Sequence, residues 1–185
     1  MVLLPFNADY SIPLRRAPDA RAACTEAWGP APATKDETAA ATDATDGASV
    51  ASLRDLLGMT SAHEWRRRGV EIPALGESNN RIHPHYGVFS PVRGEYVNLV
   101  ATTALPDTGL LPFVAFDIGT GTGVLSAVLA RRGVELTVAT DTDARALSCA
   151  RANMARLLIA AQVQIVDAHL FPPGLASLIV CNPPW

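Results

Sequence analysis

Lysine is nearly missing from this chain: of its 15 basic residues only Lys35 is a lysine, and the rest are arginine. Beside so much alanine, glycine and proline, that imbalance reads as the codon bias of a GC-rich genome and carries no functional weight. A large excess of either charge is missing too. With a net charge of −3 and an isoelectric point near 5.8, the chain is not one that lives by coating nucleic-acid backbone, although a local basic groove stays open. Its three cysteines, Cys24, Cys149 and Cys181, stand far apart with no C-x-x-C, which excludes a disulfide framework and a zinc site and fits reduced cytosolic thiols. No run of 18 apolar residues occurs, so no membrane span is expected. The segment Met1 to Asp9 lacks a basic n-region and loses its apolar run early, so it is no secretory signal. These absences predict a soluble, cytoplasmic protein that needs no membrane.

What is present is core material. Apolar residues make up 49% of 185 and charged residues 18%, enough for one domain with an appendage. Residues 29–49, rich in Ala, Thr, Asp, Gly and Pro, read as a linker within a helical segment spanning 1–69. In that segment the sequence predicts a helix from Asp19 to Trp28 opened by Pro18. A second helix is expected from Val50 to Leu57, with Ser49 as N-cap and Gly58 at its end. A third should start at the capping box Ser61-Ala62-His63-Glu64 and stop at Gly69. Residues 70–89 read as a hairpin, with strands Val70–Ile72 and Arg81–His83 around Pro73–Asn80. From residue 90 onward Ser90-Pro91 should open a helix to about Leu105.

Beyond Pro112 strands and helices alternate. Strand Phe113–Ile118, helix Val124–Arg132, strand Glu135–Thr140, helix Ala144–Leu158, strand Gln162–Val166 and strand Ser177–Cys181 follow in turn. That alternation predicts βαβ units and a parallel sheet, hence an α/β, doubly wound Rossmann-like fold.

The run Phe116-Asp117-Ile118-Gly119-Thr120-Gly121-Thr122-Gly123 joins a buried strand to a helix. Its glycines permit a sharp turn and let a ligand approach the main chain. The spacing is G-x-G-x-G; a dinucleotide fingerprint would put the third glycine at 124, which is valine, and the lysine of a P-loop is missing. Asp141 closes the second strand, 18 residues past Gly123. An acid there can take both hydroxyls of a ribose. It could instead cap the next helix, but Asp143 fits that role better and leaves Asp141 free. Asp167-Ala168 ends the third strand, suited to an adenine amino group, although a lone aspartate there is more often a turn residue. Cys181-Asn182-Pro183-Pro184-Trp185 ends the fourth. Two prolines hold that backbone extended, presenting the Asn182 amide and carbonyl as acceptors for an –NH₂ group and Trp185 as a flat wall.

Together, Asp117-x-Gly119-x-Gly121-x-Gly123, Asp141, Asp167 and Asn182-Pro183-Pro184-Trp185 resemble the class I S-adenosylmethionine-dependent methyltransferases of the N-P-P-aromatic branch, over roughly residues 85–185. That branch methylates planar nitrogens, either a glutamine amide in a protein such as a release factor or the exocyclic amine of adenine or guanine in RNA or DNA. The resemblance implies S-adenosylmethionine as cofactor. It places Gly119, Thr120, Gly121 and Gly123 along the methionine and ribose, Asp117 beside them, Asp141 and Thr142 at the ribose, and Asp167 with Ala168 at the adenine. Asn182, Pro183, Pro184 and Trp185 would take the target nitrogen, with Asn182 bordering the cofactor as well. Gly87-Val88-Phe89-Ser90-Pro91-Val92-Arg93-Gly94-Glu95 is similar to the upstream motif of these families, so Ser90 and Pro91 would line the methionine end. The run departs from the Pro-Arg-Pro-Glu-Thr-Glu of the glutamine enzymes, which also favour Tyr where this chain has Trp185.

Two other readings stay open. One is a nicotinamide-dependent oxidoreductase, disfavoured by Val124 and by Asn182-Pro183-Pro184-Trp185. The other is a catalytically silent cofactor-binding module. No metal is expected, since His83 and His85 flank Pro84 with no cysteine or acid at ligand spacing. Arg66-Arg67-Arg68 could meet phosphate, but reads better as a solvated helix end complementing the dipole. Resembling families place three further strands after the N-P-P motif. The implied sheet is therefore cut off after strand four, with Leu178, Ile179 and Val180 on an open edge that invites association, and the chain is expected to be the N-terminal part of a longer protein.

Overall fold

The computed structural model describes residues 1–32, 49–107, 109 and 112–183. They form two compact units, Met1–Trp65 and Arg66–Trp185. The linker at 29–49 lies mostly outside the described residues, and so do Pro184 and Trp185.

The first unit is not purely helical. Strand β1 (Leu3–Phe6) pairs antiparallel with β2 (Ser49–Ser52), in the register Leu3↔Ser52 to Phe6↔Ser49. Between them in sequence comes helix α1 (Arg21–Trp28), and after them α2 (Leu53–Arg68). The expected helix at Val50–Leu57 thus starts three residues late, at Leu53, after a strand that takes Val50–Ser52. Ser49 is a strand residue, and the cap moves to Ser52, whose Oγ accepts the Asp55 N–H at 3.1 Å and donates to Asp55 Oδ2 at 2.7 Å. Helix α2 runs straight through Gly58 and through Ser61–Glu64, so no second start occurs there. Glycine inside a helix costs only about 1 kcal/mol against alanine, too little to end a 16-residue helix. Phe6 is buried, and its ring meets Trp28 edge-on at 5.5 Å.

In the second unit Val70–Glu71 (β3) and Arg81–Ile82 (β4) form the expected hairpin around a 3₁₀ turn at Pro73–Leu75. Ser90-Pro91 does not open a helix. Val92 N–H bonds back to the Ser90 carbonyl at 2.9 Å in a turn, and α3 starts only at Glu95, ending at Thr102. Then come β5 (Val114–Ile118), α4 (Val124–Arg131), β6 (Leu136–Asp141), α5 (Ala144–Arg156), β7 (Val163–Asp167) and β8 (Leu178–Cys181). Each lies within about two residues of its expected place, the usual scatter at element ends.

The four-stranded sheet has the order β7-β6-β5-β8, all parallel. The chain therefore steps outward from β5 to β7 and returns to the other side of β5. That reversal is the switch point of a Rossmann-like sheet, where the crevice outside the strand ends takes ligands. On one face Val97, Val124, Leu125, Val128, Met154 and Leu157 form the main core. On the other Phe116, Ile118 and Val138 pack with Val114, Leu136, Val166 and Ala176. Strand β8 stands at the sheet's edge among the described residues, with Ile179 exposed and Leu178 and Val180 half-buried.

Candidate functional site

The carboxyl ends of these strands carry the glycine loop, Asp141, Asp167 and Asn182. After β5, Gly119, Gly121 and Gly123 have φ of +70°, +56° and +80°, a backbone that only glycine takes without strain. The loop is pinned from below. Asp117 is 1% exposed, and its Oδ2 accepts from Thr120 Oγ1 at 2.7 Å, Ser126 N–H at 3.1 Å and Ser126 Oγ at 2.6 Å. Thr120 N–H bonds to the Thr140 carbonyl on β6 at 2.8 Å. Asp117 thus ties the loop to the first turn of α4. Burial pushes its carboxyl above the usual range, the three donors pull it back, and the Asp141 charge adds to the rise.

The three glycines differ in what surrounds them. A Cβ built on Gly119 or Gly121 meets no heavy atom within 4 Å, whereas one on Gly123 comes within 2.8 Å of Met154 Cε and 3.3 Å of Ala150 Cβ. The first two border open space. The third is needed for packing against α5.

At the end of β6 Asp141 is half-buried. Its Oδ2 accepts the Gly121 N–H and its Oδ1 the Asp143 N–H, each at 3.0 Å. Asp143 is the cap of α5, accepting the Arg145 N–H at 2.8 Å, and the Arg145 guanidinium holds its carboxyl below the usual range. Asp143, and not Asp141, thus caps α5, as the sequence suggests. Thr142 is exposed between them. On β7 Asp167 pairs in register with Asp141 and is exposed, and Ala168 N–H bonds to the Asp141 carbonyl at 3.2 Å.

On the other side of β5, Cys181 pairs with Ile118, so Asn182 follows β8 where Gly119 follows β5. Asn182 is half-buried and Pro183 exposed. Ser90 Oγ is buried and has no hydrogen-bond partner among the described residues, and Pro91 is buried beside it. A few residues on, the Phe89 and Tyr96 rings lie 6.4 Å apart. Burial and then the Asp117 charge push the Tyr96 phenol up to about 12. Gly119, Gly121, Asp141, Asp167, Ala168 and Asn182 thus share one edge of the sheet.

Ser126 and Asn153 hold the glycine loop without having been legible. Asn153, fully buried on α5, donates from Nδ2 to the Thr122 carbonyl at 3.0 Å and accepts the His83 N–H at 2.9 Å. No local spacing marks a contact of 31 or 70 residues' separation. His83 Nδ1 lies 2.7 Å from the Arg66 carbonyl. Among the described residues no three His, Cys, Asp or Glu side chains are placed to hold a metal ion, and no helix is long and apolar enough to cross a membrane.

Comparison with known proteins gives a consistent picture. The family model of the methyltransferase small domain matches residues 79–185. The ribosomal protein L11 methyltransferase of Pelotomaculum thermopropionicum is 41% identical over 69 residues, 36% of this chain and 22% of that one. The ribosomal RNA small subunit methyltransferase C of Sodalis glossinidius is 44% identical over 71 residues, 37% of this chain and 20% of that one. A tRNA1(Val) (adenine(37)-N6)-methyltransferase of Porphyromonas gingivalis is 35% identical over 86 residues, 42% of this chain and 34% of that one. The chain thus spans about a fifth to a third of the length of these relatives.

Proposed function

This chain belongs to the methyltransferase small-domain family, and from that membership we propose that it holds S-adenosylmethionine for methyl transfer to a planar nitrogen. The observation that carries the reading is the Asp141 carboxylate, fixed by the Gly121 and Asp143 N–H groups beside open space over Gly119 and Gly121. That space is a cradle that a side chain at either glycine would fill, and with the Asp141 carboxylate beside it suits the cofactor. Asp141 and Thr142 would hold its ribose, Asp167 and Ala168 its adenine, and Gly119, Thr120, Gly121, Ser90 and Pro91 its methionine. Asp117 and Gly123 would support the site from behind, one anchoring the loop and the other letting α5 approach it.

Bound S-adenosylmethionine supplies a methyl already activated on a sulfonium sulfur. The chain's own residues need little acid–base chemistry; their work is alignment and charge stabilisation. Asn182, at the switch point, would accept hydrogen bonds from the target –NH₂ through its side-chain oxygen and main-chain carbonyl. These acceptors turn the nitrogen lone pair toward the methyl and stabilise the positive charge that grows on the N–H side. Trp185 would hold the plane of the substrate.

The substrate we favour is an exocyclic base amine in RNA, because two of the relatives quoted above are named as ribosomal and transfer RNA methyltransferases. A protein substrate is the second reading, since one relative is named for a ribosomal protein. Calorimetric titration with S-adenosylhomocysteine and with NAD tests the cofactor. Tighter binding of NAD would overturn the reading. Labelled methyl transfer to RNA stripped of its modifications, against release factor and ribosomal protein, then tests the substrate.

A further inference from the structure

A cavity of about 370 Å³ opens between the turn of the β3–β4 hairpin and the last turn of α5. Ser78, Asn79, Asn80, Arg81, His83 and Arg156 line it, with a single acid, Glu77. Helix α5 starts at Ala144, just past Asp141, and its 13 residues carry the chain about 20 Å before Arg156 ends it. The cavity is therefore no part of the crevice at the strand ends, and methyl transfer there makes no use of it.

The polar main chain around the cavity is already paired. Asn79, at φ +50°, donates from Nδ2 to the Arg156 carbonyl at 3.2 Å, and Asn80 donates to the Gly76 carbonyl at 2.8 Å. Arg131 Nη2 takes the next carbonyl, that of Leu157, at 3.4 Å. The negative end of α5 thus has its donors without Arg156. The Arg156 guanidinium is exposed and makes no hydrogen bond or ion pair among the described residues, so its five donors are unused. Arg81 is held in place, donating from Nη1 to the Gly69 carbonyl and from Nη2 to Glu71 Oε2, each at 3.1 Å. That second contact is an exposed ion pair, for which another anion can compete. His83 Nδ1 lies 2.7 Å from the Arg66 carbonyl; a carbonyl only accepts, so Nδ1 carries the proton and Nε2 is left over. Through these bonds the helix end at Arg66-Arg67-Arg68 is fastened to the cavity wall. In a chain with a net charge of −3, two guanidiniums beside hydroxyl and amide groups make a local site for a compact anion with several acceptor oxygens.

We propose that this cavity is a phosphate subsite for the backbone of the RNA substrate, with Arg156 as its direct contact and Arg81 beside it. It rests on the RNA reading above. A contact about 20 Å from the reacting edge fixes the register of the RNA and reads no base. Fluorescence anisotropy with a labelled, unmodified transfer RNA tests it across a salt series, on the wild type, Arg156→Gln, Arg156→Lys and Arg151→Gln. Arg151 is an exposed arginine of the same helix outside the cavity, and so controls for net charge. Arg156→Gln is expected to weaken RNA about three- to tenfold at about 0.1 M salt and to flatten the salt slope by about 0.7–0.9, the share of one phosphate. Arg156→Lys should keep the slope, Arg151→Gln should stay within about twofold, and S-adenosylhomocysteine affinity should hold within about twofold in all three. Equal losses in Arg156→Gln and Arg151→Gln, no loss in Arg156→Gln, or a joint loss of RNA and S-adenosylhomocysteine would overturn the subsite. So would inorganic phosphate that binds through Arg156 in calorimetry while RNA affinity ignores it, since the cavity would then serve a small anion. A wild type that transfers methyl to protein and binds no RNA would sink the RNA reading itself, and the subsite with it.

Discussion

Gly121 donates its main-chain N–H to Asp141 Oδ2 at 3.0 Å, so the loop after β5 is bolted to the carboxylate that ends β6. Asp141 also accepts from Asp143 N–H at 3.0 Å, which leaves both oxygens oriented by main chain and their remaining lone pairs available to a ligand. A carboxylate held this way loses no rotamer freedom on binding, and that preorganisation is why we give it the ribose.

Asp141→Ala is accordingly expected to weaken S-adenosylhomocysteine at least tenfold. A hydrogen bond to a charged acceptor is worth roughly 1.5–3 kcal/mol, and a ribose contact would use two. Asp141→Asn, which keeps one acceptor for Gly121, should lose less. Titration calorimetry on both variants checks this, and an unchanged dissociation constant for the alanine variant removes Asp141 from the site.

Asp117 is expected to act on stability and its pH dependence. Burial raises its carboxyl above 3.8, so the folded protein keeps a proton that the unfolded chain has lost. Its contribution to stability therefore falls as pH rises from about 3.8 through the folded value. Asp117→Asn should gain on the wild type as pH goes from 4 to 8, which melting curves across about that range will read; parallel curves would contradict the burial argument. Asp117→Ala strands the Thr120 hydroxyl and both Ser126 donors, and should cost at least about 3 kcal/mol at neutral pH, since each stranded buried group costs about 1–3.

How much of this was legible follows from where each signal lies along the chain. The strands β5 to β8 are apolar runs ended by Asp117-Ile118-Gly119, Asp141, Asp167 and Asn182, so local pattern located both the sheet and the edge that carries the candidate site. Asp143 could be told from Asp141 because a cap is a local device. Strand β1 could not be found. Leu3–Phe6 is short, contains Pro5, and becomes a strand only through Ser49–Ser52, more than 40 residues on. The same pairing took Ser49 away from its helix. Ser126 and Asn153 were hidden for a related reason: their partners are brought to them by the fold.

Asn182→Ala is expected to leave S-adenosylhomocysteine affinity within about twofold and to lower turnover by about 10²–10³, the scale of losing one preorganised polar contact at a reacting group. The two effects separate because Asn182 follows β8, across β5 from Asp141 and Asp167. Single-turnover methylation with saturating cofactor makes the measurement. Normal turnover with weakened cofactor binding would move Asn182 from the target nitrogen to the cofactor.

The last expectation sets two glycines of one loop against each other. Gly121 and Gly123 both have positive φ, +56° and +80°, so alanine at either carries a backbone penalty of about 1–2 kcal/mol. Their surroundings decide the rest. On Gly123 the added carbon would stand 2.8 Å from Met154 Cε and 3.3 and 3.4 Å from Cβ and Cα of Ala150. Met154 is a flexible tip but is itself buried, and the helix backbone at Ala150 cannot step aside cheaply. Gly123→Ala should therefore lose roughly 2–4 kcal/mol of stability in all, backbone strain plus overpacking. On Gly121 the carbon meets nothing within 4 Å, so stability should fall by no more than the backbone penalty. That carbon would, however, stand in the space the cofactor is to enter, and affinity for S-adenosylhomocysteine should drop by at least about tenfold. Melting curves and titrations on both variants give the two readouts. Equal melting temperatures would refute the packing role of Gly123, and undiminished binding by Gly121→Ala would show that the open space beside Asp141 is not where the ligand lies.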